Sequence, residues 1–96
     1  MNPALNQQRA AIDELDTELL KLINLRAQTV AEIARLKKQH ALPVSDEARE
    51  SAVLSNLVER NQGPLNAASI RRIFGTILAE SRRLQHTLGA GAPCTK

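Results

Sequence analysis

Six polar side chains stand on stripes of this sequence that are otherwise apolar. Leu5, Ile12, Leu19, Arg26 and Ile33 recur every seven residues, so Arg26 occupies a place the pattern gives to a hydrophobe. Lys37 follows Ile33 by four residues and shares its face. Val53 and Leu57 mark the inner side of a second segment, and stepping back along it reaches Glu50 and Asp46, with Arg49 adjacent. In a third segment Ile70, Phe74, Ile77, Ser81 and Gln85 follow three- and four-residue steps, which puts Ser81 and Gln85 on the apolar line. A buried charge without a partner is expensive. A polar network of this size is costly unless every member is satisfied. Mutual satisfaction is one solution, with Arg26 and Glu50 as a buried ion pair and Gln85 as a core amide fixing register. A polar ligand bound among them is the other, and it accounts for all six groups together.

The chemistry open to such a set is recognition of an anionic molecule rather than nucleophilic or metal catalysis. Ser81 has no histidine nearby in sequence to activate it. His40 and His86 lack ligand spacing with each other or with the single cysteine, Cys94, so no metal is expected. No glycine-rich phosphate loop is present. Arg71, Arg72, Arg82 and Arg83 lie along one side of the third segment without interleaved aromatics, which reads as a solvated face. A non-enzymatic helical dimer binding nucleic acid is the function that stripe would serve instead.

Three helices must position these groups. Residues 4–39 contain neither glycine nor proline, and Asn2-Pro3 supplies an N-cap and a first-turn proline. Pro43 interrupts the chain, a second helix is expected at about 46–61 and Gly63-Pro64 stops it. Asn66 can cap a third helix running to about residue 88, with Gly75 inside it. Residues 89–96 read as a disordered tail, leaving 1–88 as one helical domain. The 96 residues carry net charge +3 and one aromatic side chain, Phe74, a composition suited to helices packed by aliphatics. With neither a signal sequence nor an apolar run of membrane length, the expectation is a soluble cytoplasmic protein that engages no membrane.

The first helix, at about 50 Å, exceeds the width of a compact globule whose radius of gyration would be about 12–13 Å. Its apolar stripe runs from Leu5 to Leu36, and nothing in the sequence marks a bend. The expected architecture is therefore all-α, an intertwined homodimeric bundle in which two first helices pack along each other. A bent first helix in a monomeric bundle is the rival. Arg9 precedes Arg26 by 17 residues, about 25 Å along the axis, so one chain cannot bring both to one small molecule. Arg26 and Lys37 share a face and can converge. Arg9 of a second, antiparallel chain could complete their site.

The run R-A-A-I-D-E-L-D (Arg9 to Asp16), Arg26, Lys37, D-E-A-R-E (Asp46 to Glu50) and E-S-R-R-L-Q (Glu80 to Gln85) resembles the all-helical chorismate mutases over about residues 5–88. That resemblance implies an interlocked dimer with two sites and the rearrangement of chorismate to prephenate, in phenylalanine and tyrosine biosynthesis. It implies no cofactor, since one ether C–O bond breaks as a C–C bond forms within a single molecule. Arg26 and the partner chain's Arg9 would grip the substrate carboxylates, with Ser81 donating to the ring carboxylate. Lys37 and Gln85 would be catalytic, bonding the ether oxygen where negative charge grows. Glu50 and the helix start at Asp46 would receive the ring hydroxyl, with Arg49 in support. An isochorismate-pyruvate lyase on the same fold is the nearest alternative.

Overall fold

The computed structural model describes residues 2–89. The chain forms α1 (Pro3–Gln39), α2 (Glu47–Arg60) and α3 (Ala67–Thr87), with no strand among the described residues. Residues 90–96, and with them Cys94 and nearly all of the expected tail, lie outside the described residues.

Each helix begins on a side-chain cap. Asn2 accepts the Leu5 N–H at 3.1 Å, and Pro3 occupies the first helical position, where its missing N–H costs nothing. Asp46 accepts the Arg49 N–H at 3.0 Å, and Asn66 accepts the Ser69 N–H at 2.8 Å. Such caps contribute about 1 kcal/mol each. They also fix where each helix starts, and so which residues face inward.

The end of α1 is closed by two backbone bonds from beyond the helix. The Ala41 N–H donates to the Lys38 carbonyl at 3.3 Å, and the Leu42 N–H donates to the Lys37 carbonyl at 2.8 Å. This double closure needs a left-handed residue at its bend, usually glycine. Here it is Ala41, at φ 54°. The turn reverses the chain and delivers Val44, 4% exposed, back against Ala34 of α1.

The helices α1 and α2 each pack on α3 and, among the described residues, not on one another. A gap therefore remains between α1 and α2 with α3 as its floor. Buried apolar residues are few: Val30 and Ala34 of α1, Val44 of the connection and Leu78 of α3. The rest of the α1 stripe stands open, with Ile12, Leu15, Leu19 and Leu22 all more than half exposed. The radius of gyration is 17.4 Å and the long dimension 63 Å, well beyond the ~12–13 Å radius of a compact chain of this length. No bend in α1 folds the stripe inward; the helix is continuous from Pro3 to Gln39. Among the described residues nothing lies within 4 Å of where a Cβ on Gly75 would be, so no close approach among them requires that glycine.

Replacing Ala41 by glycine should raise stability by up to about 1 kcal/mol, because a Cβ in the left-handed region costs roughly 1–2 kcal/mol and glycine's greater unfolded-state entropy offsets part of the relief. Urea denaturation of Ala41→Gly against the parent measures this, and a loss of stability would contradict the turn geometry.

Candidate active site

The gap between α1 and α2 is a cleft of about 240 Å³. From α1 it receives Arg26 and Lys37, with Val30 and Ile33 between them; from the start of α2, Asp46, Arg49 and Glu50; and from α3, Ser81 and Gln85. The six groups on apolar stripes thus converge with Arg49 on one cavity. Residues 26, 30, 33 and 37 share one α1 face through three- and four-residue steps, as do 78, 81 and 85 on α3.

The partners within the cleft differ from simple ion pairing between Arg26 and Glu50. The Arg26 guanidinium donates to Ser81 Oγ at 2.6 Å, and Ser81 Oγ donates in turn to the Ile77 carbonyl at 2.9 Å. The Lys37 ammonium donates to the Val44 carbonyl at 2.8 Å and to Gln85 Oε1 at 3.0 Å. Both α1 cations are thus held by neutral oxygens, which orient them without cancelling their charge. Gln85 is buried, at 7% exposed. Its oxygen is committed to Lys37, so its amide NH2 remains to donate to a ligand.

The carboxylates occupy the opposite wall. Asp46 lines the cleft but spends one oxygen capping α2. Glu50 pairs with Arg82 of α3 at 2.5 Å, joining the α2 wall to the floor of the cleft. Arg82 therefore does not belong to a wholly solvated α3 face: it is half-buried and lines the cavity. Its spacing contained the signal, since it follows the buried Leu78 by four residues and precedes Gln85 by three. Its place beside Arg83 in a basic run concealed it; Arg83 is exposed and pairs with Glu80 on the helix surface. With Arg26, Lys37, Arg49 and Arg82 against Asp46 and Glu50, the lining is net positive. Glu32, held below the usual carboxylate range by its hydrogen bond to Arg35, lies on the exposed side of α1 and outside the cleft.

Arg9 is exposed and is not brought to this cleft. The axial separation from Arg26 holds in the straight helix, so Arg9 remains available only to something beyond its own protomer's cleft.

Residues 8–86 match the family described as chorismate mutase type II. The chain belongs to the chorismate mutase type II family. The bifunctional chorismate mutase/prephenate dehydratase of Neisseria gonorrhoeae is 39% identical over 80 residues, which cover 83% of this chain and 22% of that protein. The chain thus spans under a quarter of that curated relative. Among solved structures, chorismate mutase (form II) from Thermus thermophilus is 32% identical with a TM-score of 0.85, covering 86% of this chain and 94% of that one. Chorismate mutase from Helicobacter pylori in complex with prephenate is 29% identical with a TM-score of 0.84, covering 91% and 94%. The three-helix, all-α architecture is that of these chorismate mutases.

Asp46 has two separable properties, a cap and a charge. Asp46→Asn should keep near-parental stability, whereas Asp46→Ala should lose about 1 kcal/mol. Thermal or urea melts of the pair check this, and equal losses in both would contradict the capping assignment.

Proposed function

We propose that this chorismate mutase type II chain is itself a chorismate mutase, converting chorismate to prephenate in a site completed by a second copy of the chain. The observation that carries this reading is the Lys37–Gln85 pair, a cation and an amide donor held together at 3.0 Å in a cleft whose charged lining is net positive. A dicarboxylate needs several cations, and arginine's planar fork suits carboxylates. Arg26, fixed by Ser81, serves one carboxylate, and Arg9 from the partner chain serves the other. When substrate binds, Ser81 turns its hydroxyl proton from the Ile77 carbonyl to the ring carboxylate, and Glu50 at the head of α2 receives the ring hydroxyl. Asp46 supports that wall through the cap, and Arg49 through its charge.

The rearrangement requires no proton transfer or nucleophile. One effect is conformational: walls fixed on three helices hold the enolpyruvyl arm over the ring, replacing a rare conformer in water by a bound one. The other is electrostatic. As the ether C–O bond breaks, charge grows on the ether oxygen, and the Lys37 ammonium with the Gln85 amide is already aimed there. The Gln85 amide donates without taking up a proton, so the reading requires no acidic medium.

The open stripe of α1 supports the second copy. Leu5, Ile12, Leu15, Leu19 and Leu22 lie on one side of a continuous helix and stand exposed among the described residues. Antiparallel pairing of two α1 helices covers that side and carries Arg9 of each chain toward the partner's Arg26. The same reading takes the enzyme to be cytoplasmic and to act without nucleic acid or membrane. No helix among the described residues is long and apolar enough to cross a membrane.

Removing one preorganised donor from such a site costs about 3–4 kcal/mol, so Lys37→Ala should lower turnover by about 100- to 1000-fold with helicity retained. A prephenate-formation assay on purified protein tests this, with salicylate and pyruvate measured alongside to register lyase chemistry. Near-parental turnover in Lys37→Ala would overturn the assignment.

Sharing of sites has its own test. Arg9→Ala and Arg26→Ala should each be severely impaired alone. Unfolded together and refolded, they form mixed dimers in which one of two sites has both arginines, so activity should return to about a quarter of the parental value. No recovery would place Arg9 outside the partner's site.

A further inference from the structure

We propose that Arg82 is a positioning residue of the cleft: it holds the Glu50 carboxylate away from the substrate-binding cations and keeps it aimed at the ring hydroxyl. This rests on the chorismate mutase reading above and extends it to a residue that reading does not use. Arg82 and Glu50 are 32 positions apart in the chain, yet their side chains meet at 2.5 Å. Arg82 is, among the described residues, the one side chain bonded to Glu50. Both groups are largely sheltered, with side chains 37% and 26% exposed, so their attraction is screened less than that of a surface pair.

The need for such a partner follows from the company Glu50 keeps. Its carboxylate lines the same cavity as Lys37 and Arg49, and its side chain has three rotatable bonds. Left free, it could swing onto either cation and occupy the charge meant for an incoming carboxylate. It would also repel a dianion directly. Arg82 approaches from α3, one residue beyond Ser81 and three before Gln85, and draws Glu50 toward the α2–α3 side. Arg26 and Lys37 are left facing the cavity with neutral partners only. Arg82 acts through Glu50 and through the charge balance of the cleft, so its loss should weaken substrate capture more than the rearrangement step.

The test is a four-protein cycle on the full chain, with chorismate as substrate: parent, Arg82→Met, Glu50→Gln and the double variant. Methionine keeps most of the aliphatic stem and removes the charge. In the parental background Arg82→Met should raise KM about tenfold, the scale of one charge-assisted hydrogen bond, while kcat changes by less than about threefold. In the Glu50→Gln background, where no carboxylate needs holding, the same substitution should change KM by less than about threefold. Arg82→Lys should recover most of the parental KM. Equal effects of Arg82→Met in both backgrounds, or a fall confined to kcat, would overturn the inference while leaving the mutase reading intact. A parent chain without mutase activity would overturn both. Should Arg82→Met fail to fold, Arg82→Gln in the two backgrounds gives the same comparison.

Discussion

The described residues are arranged around a helix too long for the other two helices to cover. The 37 residues of α1 extend about 55 Å, while α3 has 21 residues and extends about 31 Å. The helix α2, with 14 residues, packs on α3 rather than on α1. Two results follow from that mismatch. One half of α1 is left with an open apolar stripe, and the other half faces a gap whose far wall is α2. The proposed partner would cover the stripe and the proposed substrate would fill the gap, so association and binding would originate in the same geometric shortfall. Covering the gap with a tighter α1–α2 contact would remove the site.

Within the gap, charge is sorted by wall. Arg26 and Lys37 are held by a hydroxyl, a backbone carbonyl and an amide oxygen, whereas the carboxylates stand at the head of α2, where one caps the helix and the other meets Arg82. Neutral partners fix a cation's position while preserving its field, a condition for electrostatic preorganisation. The tie from Lys37 to the Val44 carbonyl also joins the site to the strained turn at Ala41. That turn bends the chain back so that a residue seven positions beyond Lys37 can hold its ammonium.

Much of this was legible in the sequence, and the illegible part has a physical reason. Helix starts were legible because Asn2, Asp46 and Asn66 are side chains that cap, and because Pro3 and Pro43 restrict where a helix can run. Convergence of Arg26, Lys37, Asp46, Glu50, Ser81 and Gln85 was legible because helical periodicity assigns each to an inward face. The pairing among them was not. Whether Glu50 meets Arg26 or Arg82 depends on how α2 crosses α3, and crossing geometry is set by packing across helices rather than by period within one. Arg82 was hidden for a related reason. In a run with Arg83, two adjacent arginines point about 100° apart, so one enters the cavity while the other stays in solvent. Arg9 stood out by distance alone, since its separation from Arg26 is fixed by helix rise and excludes a shared ligand within one chain.

The open stripe on α1 has a consequence for how this protein responds to dilution. With so few apolar residues buried among the described residues, the second copy proposed to cover α1 would supply much of the folding free energy. In that dimer stability would obey mass action, with a midpoint that shifts with protein concentration, as in obligate dimers generally. A cell that makes too little of such a chain would hold it unfolded rather than as idle monomers, and synthesis rate would govern the amount of active enzyme more steeply than in proportion. Joining the chain to a larger polypeptide that assembles on its own would remove that threshold, because the two copies of α1 would then meet at a high effective concentration.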